Sequence, residues 1–152
     1  MAARDMKYNP RQRENTSMRI IIDCDPGNGI PGANIDDGLA LALAIAAPQI
    51  TLEMITTVAG NTPADVGYAV AKDLIAQLAI PVSVYRGASR ALREDPLPWR
   101  EKLDQGVDQF GLRQLWSEVP APALCQQVPP HAPEAIGELI CNCLLYTSDA
   151  AD

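Results

Sequence analysis

Two pairs of aspartates stand on either side of one glycine-bearing loop. Asp23 and Asp25 end a short apolar, β-branched run, Arg19 to Ile22, while Asp36 and Asp37 open an alanine- and leucine-rich stretch. Gly27, Gly29 and Gly32 lie between the pairs. Carboxylates gathered this closely repel one another unless a cation sits among them. An all-oxygen donor set of this kind suits a hard ion, calcium or magnesium. A divalent ion so held polarises a water and lowers its pKa, and a neighbouring carboxylate takes the proton. The chemistry indicated is hydrolytic.

The elements that must position these groups follow from the apolar pattern. Arg19 to Ile22 reads as a buried parallel strand, closed by Asp and a Pro-Gly pair. Ile35 to Ala47 reads as a helix, with Asn34 as its N-cap, both acids in a first turn where the helix dipole favours negative charge, and Pro48 as its stop. Thr51 to Val58 reads as a second strand running into Ala59-Gly60-Asn61. Thr62 is expected to cap the next helix, which has Pro63 at its first position and runs to Leu78 with Val66, Ala69, Val70, Leu74 and Leu78 on its apolar side. Pro81 to Tyr85 reads as a third strand. Past Gly87 the signal weakens: Phe110 to Trp116 reads as a short helix, Glu118 to Pro133 as a proline-rich loop, and His131 to Cys141 as a further helix. The β-α-β-α-β order predicts an open, mostly parallel, Rossmann-like α/β sheet with flanking helices. In such sheets ligands bind at the carboxyl ends of the strands, where the aspartates lie.

Composition narrows the partners. The chain has 152 residues, 47% of them hydrophobic, and a formal net charge of -7. No basic face is evident, so nucleic acid is not expected as a partner. No apolar run is long enough for a membrane span, and no apolar core follows the first charges as a secretory signal requires. Cys24, Cys125, Cys141 and Cys143 show no paired zinc-type spacing. A reducing compartment, the cytoplasm, is the expectation.

Two motifs carry a family resemblance. Asp23-Cys24-Asp25-Pro26-Gly27 followed by Asp36-Asp37, and then Thr56-Thr57-Val58-Ala59-Gly60-Asn61, resemble in order the signatures of the inosine-uridine-preferring nucleoside hydrolases. The resemblance implies cleavage of the N-glycosidic bond of ribonucleosides to free base and ribose, a tightly bound Ca2+, and a homo-oligomer. It implies that Asp25 ligates calcium and acts as general base, and that Asp37 is a second, bidentate ligand. It further implies that Asp36 and Asn61 bind the ribose and that Asp23 supports the cluster. The sequence departs from the family pattern in placing Cys24 where threonine is usual and in lengthening the loop by Asn28 to Asn34. His131 does not stand where the family places an active-site histidine and reads as a solvated loop or helix-start residue. The family's later segments, which complete the coordination and protonate the leaving base, have no counterpart here. The expected organisation is a disordered extension over residues 1–17, the N-terminal part of a nucleoside hydrolase domain over 18–140, and a non-native tail over 141–152.

Three other readings compete. Asp23-x-Asp25 after an apolar strand also resembles haloacid-dehalogenase-like phosphatases, with Asp23 as nucleophile, Asp25 as acid/base and magnesium as cofactor, but this leaves Asp36 and Asp37 without a role. Gly27-x-Gly29-x-x-Gly32 formally matches a dinucleotide fingerprint, yet aspartates beside the loop would repel a pyrophosphate. A catalytically inactive, truncated fragment is the third.

Overall fold

The computed structural model describes residues 17–124 and 131–142. Three strands form one sheet in the order β1-β2-β3: β1 is Met18–Cys24, β2 Ile50–Thr57 and β3 Ser83–Arg86. Both pairings are parallel, in register from Met18 opposite Ile50 to Cys24 opposite Thr57, and from Met54 opposite Ser83 to Thr57 opposite Arg86. Helix α1, Asp36–Ala46, joins β1 to β2, and α2, Ala64–Gln77, joins β2 to β3. After β3 come α3, Leu97–Gln109, a 3₁₀ turn over Leu112–Trp116, and α4, Ala132–Asn142. The open parallel α/β sheet expected from the sequence is present.

The apolar runs explain the core. β2 is the central strand, covered on both faces as parallel strands are, and its second half, Met54 to Thr57, is fully buried. Leu41, Leu52, Ile55, Tyr68, Ala71, Ile75, Ile80 and Val84 pack together with Cys24. Leu41 and Ile55 are wholly inaccessible to solvent, and burial of a side chain that size contributes about 1.5–3 kcal/mol. Between Ile20 and Ile21 the β1–β2 register shifts by one residue, so Glu53 falls between Leu52 and Met54. Glu53 accepts an ion pair from Arg19 Nε at 2.5 Å.

Several sequence expectations are corrected. Asn34 does not cap α1: Ile35 holds that position without a side-chain bond, and the first-turn acid Asp37 instead accepts from the Asp25 amide. Thr62 does not cap α2: Pro63 is the N-cap, and Thr62 is drawn towards the acidic loop by its amide, which donates to Asp25 Oδ2 at 3.3 Å. The buried stripe of α2 is Ala64, Gly67, Tyr68, Ala71 and Ile75 together with Ala69 and Val70, whereas Leu78 is exposed. Gly67 faces the acidic loop, where an added Cβ would meet Pro26 Cδ at an ordinary van der Waals distance of 3.5 Å. Helix α3 occupies a stretch where no helix is expected from the residue pattern, and the short helix expected over Phe110 to Trp116 is a 3₁₀ turn from Leu112 onward.

His131 is exposed, directly precedes α4, and forms a parallel bridge to Arg86. The expected N-terminal extension lies outside the described residues apart from Ser17. Of the proposed tail, Cys141 and Asn142 belong to α4, and residues 143–152 lie outside. No helix among the described residues is long and apolar enough to cross a membrane.

The turn out of β3 depends on a glycine. Gly87 donates its N–H to the Thr57 carbonyl at 2.6 Å, and a Cβ there would overlap that carbonyl oxygen. Because the clash is with backbone, Gly87→Ala is expected to cost about 1–3 kcal/mol, read as a lower urea midpoint at unchanged m. An unchanged midpoint would mean that the strand end shifts freely.

Candidate active site

The parallel register sets Cys24, Thr57 and Arg86 side by side at the carboxyl edge of the sheet. The residues that follow them are Asp25, the Val58–Asn61 turn and Gly87. The acidic loop leaves β1 here and folds over the edge in two turns, closed by Ile30 N–H to the Gly27 carbonyl at 2.9 Å and Ala33 N–H to the Ile30 carbonyl at 3.1 Å. Gly29 and Gly32 take φ of +79° and +75°, a region side chains rarely adopt, so these glycines are what the loop path requires.

Asp25 is the centre of the arrangement. Its Oδ2 accepts from the amides of Asn61 and Thr62, which ties the end of β1 to the β2–α2 turn. Its own N–H donates to Asp37 Oδ2 at 2.7 Å. The structure therefore brings Asp25, Asp37 and Asn61 together. Burial pushes the Asp37 carboxyl above its usual range; the Asp25 amide opposes this, and the charges of Asp25 and Asp36 add to the rise. Asp23 accepts from Thr56 Oγ1 at 2.6 Å, which holds it at the rim. Asp36 is exposed at the start of α1, and its side chain makes no hydrogen bond among the described residues. Cys24 is buried, and burial together with the Asp37, Asp23 and Asp25 charges pushes its thiol up to about 12. It is thus a packing residue and not a nucleophile.

The Asp25 and Asp37 side chains lie within hydrogen-bond reach of each other, and no ion pair among the described residues involves either acid. Two adjacent carboxylates without a basic partner are the donors a hard divalent cation takes. They supply part of a coordination sphere: no group of three or more His, Cys, Asp or Glu side chains among the described residues is placed to hold a metal ion. Gly60 makes the close approach possible. A Cβ there would sit 2.5 Å from Asp25 Oδ2 and 2.7 Å from its carboxyl carbon. Gly60→Ala is therefore expected to displace the Asp25 carboxylate and lower divalent-ion affinity about tenfold or more, measured by calorimetric titration. An affinity equal to the parent's would mean that Asp25 is not held where the contacts put it.

Residues that the sequence reading passed over complete the site. Arg100 of α3, only 8% exposed, donates from Nη1 to the Asn61 carbonyl at 2.7 Å and from Nη2 to the Pro31 carbonyl at 2.8 Å. Asp104, one turn on, balances its charge at 2.7 Å. Trp99 Nε1 donates to Asn61 Oδ1 at 2.7 Å. Helix α3 thereby clamps both the acidic loop and the β2–α2 turn. The available signals were Asp95, which accepts from the Leu97 amide at 3.0 Å, the proline Pro98 in the first turn, and the Arg100–Asp104 spacing.

Comparison with known proteins gives the family. The family described as inosine-uridine preferring nucleoside hydrolase matches residues 20–148. The non-specific ribonucleoside hydrolase RihC of Salmonella enteritidis is 34% identical over 132 residues, covering 81% of this chain and 41% of that protein. RihC of Salmonella paratyphi A is 53% identical over 45 residues, 30% of this chain and 12% of its own length. A protein of Schizosaccharomyces pombe described as uncharacterized is 38% identical over 81 residues, 53% of this chain and 24% of that one. The chain spans less than half the length of each of these relatives. The match over residues 20–148 shows that the chain belongs to the inosine-uridine preferring nucleoside hydrolase family.

Proposed function

We propose that the acidic edge of this sheet hydrolyses the N-glycosidic bond of ribonucleosides, releasing base and ribose, with Ca2+ as the bound ion. The observation that supports it is the Asp25–Asp37 pair at the carboxyl ends of parallel strands, with Asp25 held by the Asn61 and Thr62 amides and Asp37 by the Asp25 amide. Asp25 and Asp37 would hold the cation. When bound, it would polarise a water and lower its pKa. Asp25 accepts the proton as the water oxygen bonds to the anomeric carbon. The carbon–nitrogen bond breaks, and its electron pair leaves with the base, which takes up a proton. Asp36 and Asn61 bind the ribose hydroxyls, and the surrounding carboxylates stabilise the positive charge that develops on the sugar. Asp23, held by Thr56, supports the cluster. We place the enzyme in the cytoplasm as a homo-oligomer, with the nucleoside as its small-molecule substrate. Residues 18–140 are assigned to the hydrolase domain.

The test is chromatography of inosine and uridine incubated with the chain and Ca2+, beside p-nitrophenyl phosphate. Equimolar base and ribose, with no phosphate release, is expected. Release of phosphate alone would favour the phosphatase chemistry, with Asp23 as nucleophile. A second reading, a chain that binds the ion weakly and turns nothing over, draws on its 41% coverage of RihC. Calcium binding weaker than about millimolar, together with no base release, would support it.

A further inference from the structure

Trp99 lies on α3, outside every motif that points to hydrolysis, yet its indole meets the Asn61 side chain. An indole N–H is a donor only, so the 2.7 Å contact fixes the Asn61 amide with its oxygen towards Trp99. The Nδ2 group, with both its protons, is then turned away from the indole. The backbone of the same residue is held twice more, its N–H by Asp25 Oδ2 and its carbonyl by Arg100 Nη1. With the backbone pinned on both sides, the amide torsion is the remaining freedom of Asn61, and Trp99 removes it. The ring is itself steadied by Lys102 Nζ, 5.4 Å from its centroid.

We infer that Trp99 is a positioning residue, whose indole N–H orients the Asn61 amide so that its two N–H donors are presented to the acceptor oxygens of the substrate sugar. This rests on the reading of Asn61 as a ribose contact. A freely rotating asparagine would offer oxygen or nitrogen to a hydroxyl indifferently, and substrate binding would bear the cost of ordering it.

Trp99 is 48% exposed, so Trp99→Phe removes the donor with little effect on packing. The expected result is a KM for nucleoside raised about fivefold, with kcat and melting temperature nearly unchanged. Asn61→Ala is expected to raise KM about tenfold, and adding Trp99→Phe to it should do nothing more. The Trp99 indole N–H resonance, assigned by its loss in Trp99→Phe, is expected to move in Asn61→Ala. An indole resonance indifferent to Asn61→Ala overturns the inference on geometry, whether or not nucleoside is turned over. An impaired Asn61→Ala beside an unimpaired Trp99→Phe, or additive effects of the two, overturns the inference alone. An Asn61→Ala variant with unchanged kcat/KM overturns the ribose-contact reading, and this inference with it.

Discussion

Asparagine in place of Asp25 is expected to lower kcat for nucleoside hydrolysis on the order of 10³-fold while leaving KM within a few-fold. The substitution is nearly isosteric, and the asparagine oxygen can still accept from the Asn61 and Thr62 amides that hold Asp25 Oδ2. The β1 end and the β2–α2 turn should therefore stay joined. What is lost is a charged ligand of the cation, offset in the assay by saturating Ca2+, and the ability to accept the proton of the attacking water. Steady-state kinetics with matched thermal melts separates the cases. A KM loss as large as the kcat loss would make Asp25 chiefly a binding residue, and a fallen melting temperature would make it chiefly structural.

Asp37→Asn is expected to weaken Ca2+ binding on the order of 100-fold or more, since it removes one of two adjacent carboxylates from a hard-oxygen donor set. The asparagine oxygen can again accept from the Asp25 amide, so the loop should hold its path. In the absence of an ion, Asp37 carries an unfavourable charge: burial raises its carboxyl, and the Asp25 charge adds to the rise. A cation beside it reverses that balance. Calorimetric titration gives the answer directly. An undiminished affinity would place the ion elsewhere.

Much of this site could be read in the residues themselves. The β-branched run to Ile22, the apolar run through Ile55 and the Pro-Gly punctuation at Pro26-Gly27 are local signals, and each placed its strand end within a residue or two. Because the strands are parallel and adjacent, their carboxyl ends coincide, which brings Asp25 and Asn61 to the same edge. Helix α3 was not legible by the same route. Its apolar positions are sparse, and its buried residues are Arg100 and Val107. It is held by guanidinium and indole hydrogen bonds to backbone and amide groups distant in sequence, and hydrophobic periodicity carries no trace of such contacts. On α2 the expected Ala69 and Val70 are buried and Leu74 packs against the core, Leu78 is exposed, and the small residues Gly67 and Ala71, which a hydrophobicity pattern counts as weak, are buried as well. The two caps failed because each helix starts one residue later than expected, with Ile35 and Pro63 at the N-caps, and Thr62 Oγ1 is buried without a hydrogen-bond partner.

The proposed cleavage of nucleosides at the Asp25–Asp37 edge depends on a bound divalent cation. The most direct test follows base release from inosine by chromatography before chelation, after exhaustive EDTA treatment, and after Ca2+ is restored. The account predicts a rate that falls to the uncatalysed background with chelator and returns with calcium. Base release that persists undiminished in EDTA, or no release in any of the three states, would contradict it.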